Sequence, residues 1–209
     1  MREINIKTLV LGRAQNNCYI VRSRTSKEVV VIDPGDSVDT IEDYLKENDL
    51  ECKAILITHG HFDHITAAPE LKSRCKAPIY AHEEEVELLG DAKLNASAFL
   101  GEEISIRPDI LIKDKEILQI AGLSWQIIYT PGHTNGGVCL YLLGHSIVFS
   151  GDSLFYESIG RTDLPTGNHQ KLIESIHNQL MVLDDNIEVY PGHGRPTTIG
   201  HERQSNPYL

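Results

Sequence analysis

Five of the ten histidines fall in three short clusters, and each cluster directly follows an apolar run. The first cluster is Thr58 to His64, THGHFDH, after Ala54 to Ile57. His59 and His61 stand two apart, so on an extended segment their imidazoles point to one side and can share a cation. Asp63 and His64 then turn the chain toward a second position. The other clusters are TPGH, ending on His133, and PGHG, containing His193. Both put glycine immediately before histidine, where a tight turn presents an imidazole into a cleft. A further strand-like run ends in Ser150-Gly151-Asp152, and its carboxylate is a harder ligand suited to bridging two cations. Nitrogen and oxygen donors without thiolates suit zinc, iron or manganese, and an open catalytic site better than a closed structural one. Three donors plus three plus a bridge hold two divalent ions and leave room for a hydroxide between them, the arrangement of a hydrolase.

A lone HxH is a weak signal, because two histidines at that spacing occur by chance on exposed strands. HxHxDH is stronger, since it carries four ligand-type side chains and the chain supplies TPGH, SGD and PGHG after further apolar runs. His82, His145, His169, His177 and His201 have no ligand-type neighbours at useful spacing, so solvent exposure or local capping is expected for them. Asp33, in a Asp-Pro-Gly turn, is placed to receive the other ring N–H of a ligand histidine, as metal-bound imidazoles require. A plain turn carboxylate is the alternative. Thr58 and Thr130 are candidates for the same supporting role or are simply strand residues.

These donors need strands that end side by side. Ile4 to Leu11, Cys18 to Val21 and Val29 to Ile32 read as a β-meander. Ile41, Tyr44, Leu45 and Asn48 then mark a helix at i, i+3, i+4, i+7. Ala54 to Ile57 reads as a buried strand, and helical stretches over Ala67 to Arg74 and Glu83 to Leu89 flank a short strand at Ile79 to Ala81. Beyond Ile110 the pattern repeats in outline. Strands are expected at Glu116 to Ile120, Ser124 to Tyr129, Val138 to Leu143 and Ile147 to Phe149. A helix along Leu172, Ile173, Ile176 and Leu180 follows, with Asn168 as N-cap, and then a last strand at Ile187 to Tyr190. Two such halves, about 1–109 and 110–209, suggest two sheets packed face to face with helices outside, an α/β layered fold. No repeat or linker divides them, so one domain over residues 1–209 is expected.

The chain has 209 residues with 19 Lys+Arg against 30 Asp+Glu, a formal charge of −11. The acidic balance and the lack of a Lys/Arg cluster argue against a nucleic-acid surface, whose binding depends on basic groups displacing counterions. An anionic substrate must therefore be met locally. Cys18, Cys52, Cys75 and Cys139 are widely spaced without a CxxC pair and read as buried thiols. The first residues, with charges at positions 2 and 3 and a short apolar run, do not form a signal peptide, and no stretch approaches the ~18 apolar residues of a spanning helix. A cytoplasmic protein free of the membrane is expected.

Together these motifs resemble the metallo-β-lactamase superfamily, and within it the glyoxalase II-like hydrolases. The resemblance runs nearly end to end and implies a four-layer αββα sandwich with the metals at one edge. It also implies a partition of the donors: His59, His61 and His133 on a first metal, Asp63, His64 and His193 on a second, and Asp152 bridging, with zinc expected and iron or manganese as alternatives. The stretch Gly160 to Gly167, GRTDLPTG, and the tail Asn206-Pro207-Tyr208-Leu209 are similar to a compact bacterial subgroup of these proteins. Arg161 matches the family's basic residue that contacts the thiol carrier, whereas Asp163 stands where the family has tyrosine. Larger members continue after the last ligand into helices that clasp glutathione. Only Gly194 to Leu209 follow His193 here, so the carrier is left open between glutathione and a related small thiol.

The reaction implied is hydrolysis of a small-molecule thioester by a hydroxide held between two cations, with Asp63 and Asp152 as the catalytic carboxylates. No GxSxG or Cys/His signature offers a protein nucleophile instead. The rival is a persulfide dioxygenase, since those enzymes resemble this sequence too and share the GRTD stretch. His59, His133 and Asp152 would then hold one non-haem iron. The tract after GRTD and the tail favour the hydrolases. Nuclease and β-lactamase activities share the fold but have no specific marker here, and a metal-holding protein without catalysis would need altered ligands or a plugged site, neither of which is visible.

Overall fold

The computed structural model describes residues 3–101 and 103–209. The first sheet has the order β1 (Ile4–Leu11), β2 (Asn16–Ser23), β3 (Glu28–Ile32), β4 (Glu51–Leu56), β5 (Ile79–His82) and β6 (Ile110–Ile112). Its first three strands form the expected antiparallel meander, and from β3 to β6 the strands run parallel. Parallel neighbours need crossovers. They are supplied by α1 (Val38–Glu47) between β3 and β4, and by α2 (Phe62–Ile65) with α3 (Ala68–Cys75) between β4 and β5. A single helical turn at Glu83–Glu85 and α4 (Val86–Gly90) precede β6.

The second sheet contains β7 (Ile117–Ile120), β8 (Leu123–Tyr129), β9 (Val138–Leu142), β10 (Ile147–Gly151), β13 (Glu188–Pro191) and β14 (Thr197–Thr198), with β10 parallel to β13 and the other pairs antiparallel. A small hairpin of β11 (Leu154–Phe155) and β12 (Ser158–Ile159) follows β10. The helix α5 (His169–Ser175) runs on into a wider π turn over Ile176–Leu180, and α6 (Ile199–Ser205) closes the chain. Asn168 caps α5 as expected, its side-chain oxygen accepting the Lys171 N–H at 3.0 Å.

Strand alternation explains the layers. In the continuous apolar run of β3, Val30 and Ile32 join Tyr19, Leu56, Trp125, Ile127, Leu140 and Phe149 in a core between the sheets. Val29 and Val31 face the other way and pack with Ile41, Leu45, Ile65 and Leu71 beneath α1, α2 and α3. On the far side, Cys139, Val148 and Val189 meet Leu172, Ile176, Leu180 and Ile199 from α5 and α6. The order helix, sheet, sheet, helix is therefore the four-layer sandwich expected. Strands buried on both faces read as unbroken apolar runs, which is why β3 and β4 are legible in the sequence. Of the four thiols, Cys18, Cys52 and Cys139 are buried, but Cys75, in the last turn of α3, is only partly so. Among the described residues no helix is long and apolar enough to cross a membrane.

Candidate metal centre

The parallel arrangement brings the ends of β3, β4, β8, β10 and β13 to one edge, and every donor singled out from sequence lies just past such an end. Asp33 follows β3; His59 and His61 follow β4 and enter α2, which carries Asp63 and His64; His133, Asp152 and His193 follow β8, β10 and β13. The glycines before the last two histidines work differently. Gly132 sits at φ +134°, a backbone region that glycine favours. At Gly192 the requirement is space, because a Cβ there would collide with Asp152 Oδ1 and lie 2.7 Å from the His64 ring.

All seven donors converge. His59, His61 and His133 present one ring nitrogen each to a common point, and Asp63, His64 and His193 do the same alongside. His61 Nδ1 and His59 Nε2 lie 2.9 and 3.2 Å from His133 Nε2. His64 Nε2 lies 3.2 Å from His193 Nε2, which is 3.2 Å from Asp63 Oδ2. Four donors placed tetrahedrally at zinc-like bond lengths of about 2.0–2.1 Å stand about 3.3–3.4 Å apart, close to these separations. Asp152 reaches both groups, with Oδ1 3.4 Å from His64 Nε2 and Oδ2 3.5 and 3.6 Å from the Nε2 atoms of His133 and His193.

The outward nitrogens settle what points inward. His133 Nδ1 lies 2.7 Å from the Arg161 carbonyl, an acceptor only, so it donates and leaves Nε2 with a lone pair. His64 Nδ1 donates to Asp33 Oδ2 at 3.0 Å. The Thr58 hydroxyl donates to the same oxygen at 2.5 Å and so accepts from His59 Nδ1 at 3.2 Å. His59, His64 and His133 thus aim lone pairs at other donor atoms only 3.2–3.5 Å away. Asp152 Oδ1 is buried with no hydrogen-bond partner. Lone pairs so crowded repel unless a cation or proton lies among them, and the donor set therefore fits metal ions.

Electrostatics divides the two groups. Burial, and then the neighbouring imidazoles, hold His59 well below its ordinary range; burial and His133 push His61 down to about 3; burial lowers His133 against the opposing pull of Asp152. Burial thus disfavours protonation throughout this trio. In the second group burial opposes protonation of His64, but Asp152, Asp63 and Asp33 raise it to about 10. Burial likewise opposes ionisation of Asp63, yet His64 and His193 hold it well below the usual carboxylate range. Acidic surroundings favour positive charge in that position.

The expected supporting residues separate. Asp33 and Thr58 touch ligand histidines, whereas the Thr130 hydroxyl bonds to Ser153 at 2.8 Å and meets Cys139. Arg161 touches the site through its backbone carbonyl, while its guanidinium is held by Asp163 in two contacts of 2.7 Å. His82 is buried and accepts the Glu84 N–H at 3.3 Å, a local cap, and stacks on Tyr129.

Sequence reasoning missed three residues. The Asn17 amide donates to the carbonyls of Pro191 and Gly194 at 2.9 Å, and the Tyr19 hydroxyl donates to Pro191 at 2.6 Å, so β2 fixes the His193 loop. Nothing local in the sequence signals a pairing across more than 170 positions. Glu85, 1% exposed, lies in the helical stretch expected over Glu83 to Leu89 but was not singled out among three successive glutamates. It stands three and four residues before the buried Leu88 and Leu89, a spacing that places it on their face.

A family model for the metallo-β-lactamase superfamily matches residues 11–193. The chain is 39% identical to the probable metallo-hydrolase YqgX of Bacillus subtilis (strain 168), over 97% of this chain and 96% of that protein. It is 35% identical to the hydroxyacylglutathione hydrolase GloC of Haemophilus influenzae, over 99% and 98% respectively. Among solved structures, the B3 metallo-β-lactamase BLEG-1 matches with a TM-score of 0.93 and 40% identity, covering 98% of this chain and 99% of that one. TTHA1623 in a di-iron-bound form matches with a TM-score of 0.86 and 35% identity, covering 97% and 100%.

Proposed function

This chain belongs to the metallo-β-lactamase superfamily, and from that premise we propose that it is a metallo-hydrolase holding two divalent ions and cleaving small-molecule acyl thioesters. The substrate would be of the hydroxyacyl-glutathione type or carry a related low-molecular-weight thiol. His59, His61 and His133 would hold one ion, Asp63, His64 and His193 the other, and Asp152 both. The observation that carries this reading is the meeting of two three-donor groups at Asp152. The closeness of the second group favours two ions over the single iron of the dioxygenase alternative. That GloC is a hydroxyacylglutathione hydrolase supports the thioester, and the di-iron form of TTHA1623 supports a site for two ions.

Two bound cations would supply a hydroxide near neutral pH, by lowering the pKa of water from about 15.7 toward about 7, and positive charge for the oxyanion of the attacked carbonyl. The chain's own residues do the positioning. Asp33, Thr58 and the Arg161 carbonyl hold the outer nitrogens of His64, His59 and His133, so the donors are oriented before substrate arrives. Asp63 and Asp152 would offer carboxylate oxygens to orient a hydroxide held between the two ions. A cavity of about 590 Å³ opens beside Asp63, walled by Leu11, Ala14, Phe62 and Thr66 with Arg13 at its side, and it can take an acyl group or the carrier's apolar part. Arg161 would offer its guanidinium to a carboxylate on the carrier, exchanging Asp163 for substrate.

A second reading is β-lactam hydrolysis, which the likeness to BLEG-1 favours. It uses the same attack on an acyl carbon, with a ring amide in place of the thioester. The test is elemental mass spectrometry on protein purified without added metal or chelator, followed by turnover of acyl thioesters of glutathione and of other small thiols, with a chromogenic cephalosporin alongside. Two zinc, or zinc and iron, per chain with thioester turnover is the expected result. Cephalosporin turnover without thioester hydrolysis would move the assignment to the second reading, and one iron per chain with oxygen uptake on persulfide would overturn both.

A further inference from the structure

Glu85 is a buried carboxylate that the chemistry proposed above does not use. It lies in the helical turn after β5, and the groups that act on it, Gly60, Thr134 and Gly136, include no basic side chain. Removing an ionised carboxylate from water without a counter-ion costs several kcal/mol, so it needs strong partners. Beside the Thr134 side chain, each of its oxygens meets a backbone N–H group of the metal-centre loops. Oε1 accepts from Gly60 at 2.7 Å, between His59 and His61, and Oε2 accepts from Gly136 at 2.6 Å, three residues past His133. The fit is close, since a Cβ on Gly136 would collide with the Glu85 backbone and side chain. One further bond joins the same two loops, from the Val138 N–H to the Thr58 carbonyl at 2.9 Å.

From this geometry we infer that Glu85 is a positioning residue: it sets the His59–His61 pair against His133 and thereby fixes the triangle of nitrogens at the first metal. The inference rests on the reading that this trio holds a cation. It acts mainly on the first group, because neither of its bonds reaches His64, which Asp33 orients, or the His193 loop, which Asn17 and Tyr19 hold. A carboxylate in its ionised form meets the requirement. Both oxygens accept a main-chain N–H, whereas glutamine would turn its NH2 against one of those donors, and aspartate, one methylene shorter, cannot span both loops.

The test compares Glu85→Gln with wild type by zinc competition against a chromophoric chelator, by cobalt(II) spectra of the loaded chains, and by thermal unfolding of the metal-free chains. His61→Ala and His193→Ala serve as references for loss of the first and second site. We expect Glu85→Gln to weaken the first site by about 10–100-fold, the usual effect of disturbing a ligand's support, while the second site stays within about threefold. At limiting metal its cobalt spectrum then matches His61→Ala and not His193→Ala. A glutamate that serves only the fold would lower the unfolding temperature yet leave the ratio of the two affinities unchanged, and that result overturns the inference. If Glu85→Gln does not fold, Glu85→Asp is measured the same way with the same expected asymmetry. Wild type that takes up fewer than two ions refutes the two-ion reading itself; wild type with two and variants with an unchanged ratio refute the role of Glu85 alone.

Discussion

Replacing Asp33 by asparagine tests whether the outer contacts or the ligands alone define the centre. Asp33 is 2% exposed and sits at φ +49°, a conformation asparagine adopts readily, so the substitution does not disturb the backbone. The carboxylate accepts three bonds: Thr58 N–H on Oδ1 at 2.8 Å, and the Thr58 hydroxyl and His64 Nδ1–H on Oδ2 at 2.5 and 3.0 Å. Asparagine has one acceptor oxygen. If that oxygen keeps the Oδ2 position, its NH2 opposes the Thr58 N–H, and a buried donor left unpaired costs about 1–3 kcal/mol. If it takes the Oδ1 position, His64 loses its acceptor and its proton moves toward the nitrogen facing His193 and Asp152, which blocks the second metal. The first orientation predicts a metal-free fold weakened by about 1–3 kcal/mol; the second, which leaves the Thr58 N–H its acceptor, is the one expected to prevail, and it predicts a zinc affinity reduced by about 10–100-fold at the second site. The assays are urea unfolding of the metal-free chain and zinc competition on both proteins. Unchanged affinity at the second site without loss of stability would show that Asp33 is a plain turn carboxylate, and unchanged affinity with a stability loss would show that the asparagine oxygen stays on His64 and that no tautomer change occurs.

Other expectations follow from the same contacts. Asp152→Ala should lower hydrolysis by more than about 100-fold, beyond the usual effect of disturbing a ligand's support, while circular dichroism stays native; near-wild-type turnover would remove Asp152 from the mechanism. Arg161→Ala should raise KM several-fold for a thioester whose carrier bears a carboxylate and leave kcat unchanged, with no effect on a neutral carrier; equal KM for both carriers would leave the arginine as the ion-pair partner of Asp163. Burial pushes the Glu85 carboxyl up to about 7 from 4.5, so the folded chain keeps a proton that the unfolded chain releases. Its contribution makes the metal-free protein lose stability as pH rises from about 4.5 to about 7, by up to about 3 kcal/mol. Between pH 5 and pH 8 the urea midpoint of wild type should therefore fall further, or rise less, than that of Glu85→Gln, and an identical pH dependence in both proteins would refute the shift.

What was legible in the sequence was what repeats or clusters locally. Strands buried on both faces show as runs such as Val29 to Ile32, and donors crowded after strand ends show as HxHxDH, TPGH and PGHG. The strands β6, β11, β12 and β14 have only two or three residues and no period to detect. α6 has Ile199 as its one large apolar buried residue, so its hydrophobic face is too sparse to announce a helix. The supports of the centre escaped for a different reason. Asn17 and Tyr19 act across the seam between the two sheets, and their amide and hydroxyl are ordinary strand residues until the His193 loop arrives to accept from them. Metal-binding chemistry is written in the types of the ligand residues, because few side chains can donate to a cation. The contacts that aim those ligands are mostly to main-chain groups, which every residue carries, and so the identity of the partner loop leaves no mark in the sequence. Glu85 lies between these cases: its carboxylate is a visible type, two of its partners are backbone N–H groups, and only the spacing to Leu88 and Leu89 hints that it turns inward. A glutamate on the buried face of a short helical segment, preceding two leucines by three and four positions and lacking a basic partner, is therefore a sequence feature worth testing as a support for nearby metal ligands.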